Sequence, residues 1–244
     1  SGGAGDDTIF GEGGDDTITG GSGNDKLDGG DGNDSISGDD GSGPTKVTLN
    51  FNDLHKGQIV DDEYVSDGVT ISSPTNKVMA FDTANPTGGD HDLATGNLGK
   101  VLILSEDGDS HDPDDDAHGG KFVFKFDDPS EVHSLTVLDI DSGEDAGKIK
   151  LYDAHNNLID TISIPVTGNN GQATIDINTS GVARMEVILE GSGAIDNLSY
   201  TVPAGADGND TIYGGDGQDT VDGGGGDDLI DTRGGDSAFD TDVP

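Results

Sequence analysis

Residues 2–37 read GGAGDDTIF GEGGDDTIT GGSGNDKLD GGDGNDSIS, four consecutive units of nine residues. The period returns at residues 205–231 as GADGNDTIY GGDGQDTVD GGGGDDLID, so seven units follow G-G-x-G-x-D-x-U-x, where U is a large aliphatic residue. Such a period is typical of a parallel β-roll, in which each unit makes one turn and one short strand. Two decayed units carry Gly43 and Ser237 where the sixth-position aspartate belongs.

The core of such a roll is thin. The glycines permit a positive φ and close approach of backbones, and one aliphatic side chain per unit points inward. Each buried aliphatic contributes roughly 1.5–3 kcal/mol, whereas ordering the backbone costs roughly 1–2 kcal/mol per residue. Packing alone should therefore not fold the roll. The inward positions are Ile9, Ile18, Leu27, Ile36, Ile212, Val221 and Ile230.

An aspartate at the sixth position of every regular unit supplies what packing lacks. Stacked turns bring these carboxylates together, where they repel one another unless a cation binds, so that binding free energy becomes folding free energy. Calcium is the expected cation, because it prefers carboxylate and carbonyl oxygens. The aspartates are Asp7, Asp16, Asp25, Asp34, Asp210, Asp219 and Asp228.

The composition agrees with a cation-binding protein. Lys and Arg number 11 against 50 Asp and Glu, a formal charge of −39. Nucleic acid is excluded as a partner, because phosphate contacts need basic residues, and no apolar run approaches the roughly 20 residues of a membrane span. Cysteine is absent, so no disulfide stabilises the thin core, and a bound metal is the obvious candidate for that role.

Both repeat blocks resemble the repeats-in-toxin (RTX) family of secreted bacterial proteins. The resemblance implies that calcium lies between one turn and the turn two units later. The first turn would contribute the carbonyls of its positions two and four and its aspartate, and the second turn the carbonyls of its positions one and three and its aspartate. The implied facing sets are Gly3, Gly5, Asp7 with Gly20, Ser22, Asp25; Glu12, Gly14, Asp16 with Gly29, Asp31, Asp34; and Ala206, Gly208, Asp210 with Gly223, Gly225, Asp228. A further set would join the two blocks: Gly30, Gly32, Asp34 with Gly205, Asp207, Asp210.

The same resemblance implies extracellular localisation and export by a type I secretion system. Because the chain opens inside a repeat, at Ser1-Gly2-Gly3, we expect it to be part of a longer secreted polypeptide.

Residues 44–204 differ in texture from the repeats. About eleven β-rich stretches recur between turn residues, many alternating apolar with polar, as half-buried strands do. They lie at 46–51, 69–72, 77–81, 101–104, 121–126, 132–139, 148–153, 157–164, 173–178, 182–190 and 194–201. We therefore predict an all-β chain with three segments: repeats at 1–43, an inserted antiparallel β-sandwich of jelly-roll type at 44–204, and repeats at 205–244. The repeats then form either one continuous roll, which we favour, or two separate short rolls.

The last predicted strand of the insert, AIDNLSYT at 194–201, resembles that of galactose-binding-like sandwiches found in carbohydrate-binding modules. That resemblance implies a structural calcium near Asp196; the alternative is that Asp196 and Asn197 only end a strand.

Two loops of the insert are rich in ionisable residues. One is SEDGDSHDPDDDAHGG at 105–120, which includes Asp109, His111 and His118 and is either a metal loop or a solvated acidic loop. It does not fit the EF-hand pattern. The other is TGGDHDLATGN at 87–97, where Asp90, His91 and Asp92 either line a ligand site or lie on the surface.

No catalytic pattern stands out. The chain has neither the H-E-x-x-H zinc helix nor the G-x-S-x-G elbow. Paired carboxylates carry no information among 50 acidic residues. We therefore expect no enzyme but a calcium-binding module that presents the sandwich to extracellular carbohydrate or a cell surface. The alternatives are a calcium-stiffened spacer of a large adhesin and an accessory domain of a polysaccharide-degrading enzyme.

Overall fold

The fold is known from a computed structural model that describes residues 1–39, 44–87, 91–140, 147–203 and 209–232. The chain forms two compact units, Ser1–Thr45 with Pro203–Pro244, and Lys46–Val202. The described residues are β-strand apart from loops and two 3₁₀ turns, Val65–Asp67 and His91–Leu93. No helix in these ranges is long and apolar enough to cross a bilayer.

Eighteen strands lie in the described residues. The strands of the first repeat block are β1 (Gly3–Ala4), β2 (Thr8–Phe10), β3 (Thr17–Thr19), β4 (Gly21–Ser22), β5 (Lys26–Asp28) and β6 (Ser35–Ser37). Those of the insert are β7 (Thr45–Leu49), β8 (Val69–Ser72), β9 (Lys77–Asp82), β10 (Lys100–Ser105), β11 (Gly120–Leu138), β12 (Lys148–Tyr152), β13 (Leu158–Ser163), β14 (Gln172–Leu189) and β15 (Ala194–Val202). The second block adds β16 (Thr211–Tyr213), β17 (Thr220–Asp222) and β18 (Leu229–Asp231).

The repeats form one continuous parallel roll. One sheet has the order β18-β16-β5-β2 and the other β17-β6-β3. Strand β5 of the first block pairs with β16 of the second, with Leu27 opposite Ile212, and β6 pairs with β17, with Ile36 opposite Val221. The inward aliphatics cluster between the two sheets, where the central five are buried and Ile9 and Ile230, one in each end strand of the four-stranded sheet, are partly buried.

One repeat unit of this roll is split by the insert. In every intact unit the position-one glycine lies against the carboxylate of its own unit, as Gly20 does against Asp25. Gly38 lies in the same way against Asp210, 172 positions later instead of five. Gly38 and Asp39 therefore begin a unit that Asn209 to Tyr213 complete, and the decayed fifth unit and the unit at 205–213 are two parts of one.

The split unit corrects the expected set across the insertion. We expected Asp34 to face Asp210, whereas the Asp34 amide donates to Asp219 Oδ1 and the Asp25 amide donates to Asp210 Oδ1. The expectation was wrong by one unit because it counted the decayed fifth unit and the unit at 205–213 as two units, whereas they form one. Asp210 therefore belongs to the unit directly after that of Asp34 and lies in the other ladder. Of the other members of that set, Gly205 and Asp207 lie outside the described residues.

The insert is a sandwich made from one bent nine-stranded antiparallel sheet. Its first layer contains β13, β12, the second half of β14, the first half of β11, and β8. Its second layer contains the first half of β14, the second half of β11, β15, β10 and β9, with β7 paired to β15. The main hydrophobic core joins residues of both layers, such as Phe122 and Leu151 of the first and Leu135 and Ile195 of the second.

Two long strands connect the layers. The predicted stretches 121–126 and 132–139 belong to β11 except for Asp139, and 173–178 and 182–190 belong to β14 except for Glu190, so the strands are fewer and longer than expected. The register of β11 against β14 shifts between Lys125 and Ser134, and such bulges bend a strand. Pro129 lies in this stretch, where a missing backbone N–H is tolerated.

A second, smaller core covers the outer face of the second layer. Leu93 and Leu98, from the loop between β9 and β10, pack with Phe81, Val101 and Ala194. Part of the loop at 87–97 is therefore a structural cover for this layer.

Candidate calcium site

The sixth-position aspartates stack in two ladders along the roll. The backbone N–H of Asp7 donates to Asp25 Oδ1 at 2.8 Å, that of Asp25 to Asp210 Oδ1 at 2.8 Å, and that of Asp210 to Asp228 Oδ1 at 3.0 Å. On the other side, Asp16 donates to Asp34 Oδ1 at 2.9 Å and Asp34 to Asp219 Oδ1 at 3.1 Å. One carboxylate oxygen of each acceptor is thus held by the preceding unit on the same side.

The second oxygen of these carboxylates is buried without a hydrogen-bond partner in the described part of the chain. The aspartates with such an Oδ2 atom are Asp7, Asp16, Asp25, Asp34, Asp210 and Asp219. The side chains in the middle of the ladders are 1–3% exposed. Burying a carboxylate costs free energy unless the group is paired or coordinates a metal. The geometry therefore favours a bound cation beside these carboxylates.

The turns leave room for these oxygens only because position one is glycine. A Cβ added at Gly20 would lie 2.2 Å from Asp25 Oδ2 and 2.4 Å from the Gly38 carbonyl oxygen. The same pair of contacts recurs at Gly29, with Asp34 Oδ2 at 2.3 Å and the carbonyl oxygen of Gly214 at 2.5 Å. Each turn therefore holds a carboxylate oxygen beside a carbonyl oxygen of the turn two units later, within a cradle that any side chain would fill.

Burial and neighbouring carboxylates oppose the ionisation of Asp210. Burial, together with the smaller effect of the nearby carboxylates of Asp39, Asp228 and Asp25, raises its pKa to about 6, although the hydrogen bond from the Asp25 backbone N–H lowers it. Asp39 was not among the expected site residues. It is buried, and its Oδ2 accepts from the backbone N–H of Gly225 at 2.8 Å.

The position-five side chains form a second, exposed ladder that the repeat pattern left as "x". Asp6 Oδ1 accepts from the Asn24 backbone N–H at 2.9 Å, Asn24 Oδ1 from Asn209 at 3.0 Å, and Asn209 Oδ1 from Asp227 at 2.7 Å. The other side repeats the arrangement from Asp15 through Asn33 to Gln218. Its signal in the sequence is the restriction of position five to Asp, Asn and Gln in these units.

All the candidate donors in the turns are oxygens, and among the described residues no ion pair joins a Lys or Arg to Asp25, Asp34, Asp210 or Asp219. This set fits calcium, which takes six to eight oxygen ligands from carboxylates and carbonyls. The fold and the site define a calcium-binding parallel β-roll. The expected carbonyl donors Ala206 and Gly208 lie outside the described residues.

In the insert, the two ionisable loops meet at one end of the sandwich. Asp115 is buried, and its Oδ2 accepts from the Gly193 backbone N–H at 2.6 Å. Burial and, less strongly, the charge of Asp92 raise the pKa of Asp115 overall, although the hydrogen bonds from Gly193 and Ser192 oppose this shift. Asp139 is fully buried nearby, with Ser192 Oγ 3.3 Å from its Oδ2. From the sequence, Asp115 was only one aspartate of the possible metal loop at 105–120 and Asp139 was not singled out, because only the fold brings both to the loop of Asp92.

Other residues of the acidic loop differ in exposure: Asp114 and Asp116 are half-buried, whereas the two histidines and Asp109 are exposed. Asp109 is exposed and accepts from the His111 backbone N–H at 2.9 Å, and His118 is also exposed. The contacts of Asp109 therefore lie within its own loop. Asp90, the third expected ligand residue, lies outside the described residues.

Two other carboxylate groups of the insert differ in burial. Asp61, Asp62 and Glu63 place carboxylate oxygens within 4.8 Å of one another, with both aspartates exposed. Asp196 is 1% exposed, burial raises its pKa to about 7, and its Oδ1 has no hydrogen-bond partner among the described residues. Its Oδ2 accepts from Asn197 Nδ2 at 2.9 Å.

Comparison with known families identifies the roll. The model for the RTX calcium-binding nonapeptide repeat matches residues 1–27, 10–43 and 204–237. The end segments are therefore RTX calcium-binding repeats, which confirms the expected resemblance. No curated protein sequence matches the chain.

Several solved carbohydrate-binding modules are similar in structure to part of this chain. A family 29 module from Piromyces equi is 10% identical with a TM-score of 0.35, covering 68% of this chain and 93% of its own. The family 32 module of NanJ from Clostridium perfringens, solved with galactose, is 11% identical with a TM-score of 0.31, covering 65% and 100%. The C. perfringens module CpGH89CBM32-6 is 6% identical with a TM-score of 0.33, covering 57% and 97%. At these TM-scores the likeness assigns no ligand to the present chain.

Proposed function

We propose that this chain is an extracellular module whose roll folds around several calcium ions and whose sandwich binds a partner outside the cell. The observation that carries the proposal is the ladder of buried Oδ2 atoms without hydrogen-bond partners. Bound calcium would be coordinated by these oxygens and would neutralise the stacked carboxylates. Its binding free energy then becomes folding free energy of the roll.

The proposed ligands are the sixth-position aspartates together with carbonyls of positions one to four. Two proposed sets are the ones expected from the sequence: Gly3, Gly5, Asp7 with Gly20, Ser22, Asp25, and Glu12, Gly14, Asp16 with Gly29, Asp31, Asp34. The observed ladders add sets that cross the insertion: Gly30, Gly32, Asp34 with Gly214, Asp216, Asp219; Gly21, Gly23, Asp25 with Gly38 and Asp210; and Asp39, Asp210 with Gly223, Gly225, Asp228. Each set draws on two turns, so each site requires the roll to be closed.

The test compares two aspartates of one unit. Asp34 is buried in the ladder, whereas the side chain of Asp31 is exposed and only its carbonyl is a proposed ligand. Asp34→Asn should shift the calcium midpoint of folding, followed by circular dichroism, upward by about tenfold, since charged ligands set calcium affinity. Asp31→Asn removes the same charge and should leave the midpoint nearly unchanged. Equal shifts in both variants would show diffuse attraction of calcium to an acidic chain instead of a site.

Extracellular localisation and type I export are part of the proposal, and the match of both end segments to RTX repeats supports them. Folding at roughly 10⁻⁴–10⁻³ M calcium, the range of extracellular modules, would keep the roll unfolded before export. Unchanged β-structure of the repeats in chelator would contradict this switch.

For the sandwich we propose binding of carbohydrate, free or at a cell surface. The support is the two-layer antiparallel sandwich and the resemblance of its last strand, AIDNLSYT, to carbohydrate-binding modules. Asp196 is a proposed calcium ligand within it, because its buried Oδ1 has no hydrogen-bond partner in the described ranges. A glycan array read with calcium and with chelator tests the proposal; absence of binding in both would leave a calcium-stiffened spacer as the better function.

A further inference from the structure

The outer face of the first sandwich layer is rich in basic residues, whereas the chain as a whole is strongly acidic. On strands β11, β12 and β14, the core-facing residues, such as Phe124, Leu151 and Met185, are fully buried. The side chains between them alternate to the opposite face. The residues at these outward positions are Lys121, Val123, Lys125, Lys148, Lys150, Tyr152, Arg184, Glu186 and Ile188.

These nine positions hold five of the eleven Lys and Arg residues of the chain and one carboxylate. We call Lys121, Lys125, Lys148, Lys150 and Arg184 the cationic face. In a chain with a net charge of −39, five cations and one carboxylate give these nine positions a net charge of the opposite sign, and clustered charge of one sign attracts ligands of the other.

The middle of the cationic face is ordered by Glu186. Lys121 Nζ lies 2.9 Å from Glu186 Oε1, Arg184 Nη1 also donates to Oε1, and Tyr152 OH donates to Oε2 at 3.3 Å. Burial alone would raise the pKa of Glu186, but the hydrogen bond and charge of Lys121 and the charge of Arg184 lower it overall. The guanidinium of Arg184 is 3.7 Å above the ring of Tyr152, which holds the cation in place.

The remaining lysines are available to a ligand. Lys148 Nζ is 3.9 Å from Glu190 Oε1, a contact of two half-exposed side chains. Lys125 and Lys150 form no ion pair within the described ranges. Register places Lys150 beside Glu186 and Lys125 beside Arg184, so these lysines lie on either side of the ordered centre.

We propose that the cationic face binds an acidic polysaccharide, one with uronate or sulfate groups. This inference rests on the proposed binding of extracellular carbohydrate by the sandwich and specifies its chemical class. Cations two residues apart on a strand are about 7 Å apart, and neighbouring strands are about 4.8 Å apart, so the face offers repeated positive charge to an extended chain of repeated anions. Nucleic acid is less suited, because its bases need aromatic platforms and the ring of Tyr152 is occupied by Arg184.

The test measures binding of the full chain, in calcium, to hyaluronan and dextran sulfate, with neutral dextran as the reference. Lys125→Glu combined with Lys150→Glu should weaken binding to both acidic polymers by at least about tenfold, because the introduced carboxylates repel an anionic polymer. Lys46→Glu combined with Lys56→Glu makes the same charge change outside the cationic face and should change affinity by less than about twofold. Binding should also weaken between about 0.05 M and about 0.5 M NaCl, as exposed charges are screened.

The outcomes separate this inference from the function on which it rests. Equal binding by the two double variants would overturn the cationic face as the site. Binding of neutral but not acidic glycans by the wild type would overturn the acidic class while leaving carbohydrate binding intact, and binding of none would overturn both. Preference for a DNA oligonucleotide over the acidic polymers would also contradict the inference. If the lysine-to-glutamate pair lowers the melting temperature, Lys125→Gln with Lys150→Gln serves in its place.

Discussion

The glycines of one repeat serve different physical purposes. At position one, as in Gly20, the φ angle is unexceptional but a Cβ would collide with a carboxylate oxygen and a carbonyl oxygen. At positions two and four the backbone has a positive φ, as in Gly30 and Gly32. A Cβ at Gly30 or Gly32 would also lie 2.2 Å from a backbone carbonyl oxygen of the unit two earlier. The pattern G-G-x-G therefore records a steric requirement at position one, and both a conformational and a steric requirement at positions two and four.

Glu12 breaks this pattern, because it occupies position two with a φ of 70°. A non-glycine residue in this region costs of order 1–3 kcal/mol. Glu12→Gly should therefore stabilise the calcium-loaded roll by about 1 kcal/mol, measured by denaturant unfolding. Glu12→Ala removes the same charge but keeps the Cβ, so it should give little of this gain. Equal stabilisation by Ala and Gly would show that relief of charge repulsion, not backbone conformation, is the cause.

The raised pKa of Asp196 predicts that the stability of the sandwich depends on pH when calcium is removed by a chelator. Its pKa is raised from the ordinary 3.8 to about 7 by burial, so the folded state holds the proton more tightly than the unfolded chain. The stabilisation that the protonated group allows is complete below pH 4 and is lost as pH rises through about 7. The melting temperature of Asp196→Asn relative to wild type should therefore rise over that interval. A constant difference across pH would contradict the assignment.

At the scale of elements, the sequence located most strands but not their continuity. Residues 69–72 were predicted as a strand and are β8. The turn-like residues Asp127, Asp128 and Pro129 predicted an end between two strands, yet β11 runs through them. The Asp127 amide donates to the Gly68 carbonyl, a partner distant in sequence, so local propensity could not reveal that the strand continues.

The turn element of the roll gives a matched pair of substitutions. Gly20→Ala would force a Cβ to 2.2 Å from Asp25 Oδ2, whereas a Cβ at Gly13 meets nothing nearer than 3.7 Å. Neither residue has a positive φ. Gly20→Ala should destabilise the calcium-loaded roll by about 2 kcal/mol or more, and Gly13→Ala by less than about 0.5 kcal/mol. Calcium titrations followed by circular dichroism measure both; similar losses would argue against the cradle beside Asp25.

At the scale of the whole molecule, the two repeat blocks complete each other. The first block supplies β2 and β5 to one sheet and β3 and β6 to the other, and each sheet continues into the second block. Short sheets of this kind are marginal by themselves. The calcium sets across the insertion likewise draw their ligands from both blocks.

The continuity of the roll predicts the behaviour of two shortened chains. Replacing residues 40–208 by two glycines joins Asp39 to Asn209 and restores a unit of nine residues, so this chain should fold on calcium addition. Residues 1–39 alone should stay unfolded at the same calcium concentration, because they lack the partners of β5 and β6. Circular dichroism during a calcium titration distinguishes them. Folding of residues 1–39 by themselves at the same midpoint would show that the blocks are independent.

The sequence by itself determined the nonapeptide units, their inward aliphatics and the identity of the carboxylates in the ladders. It could do so because each unit is local and repeats the same backbone conformation, so period and position carry the structure. Only the tertiary structure decided that Asp25 meets Asp210 and Asp34 meets Asp219, since pairing across a long insertion depends on how the split unit closes. It alone also assembled the cationic face, whose lysines and arginine lie on strands far apart in sequence and become neighbours only through sheet register.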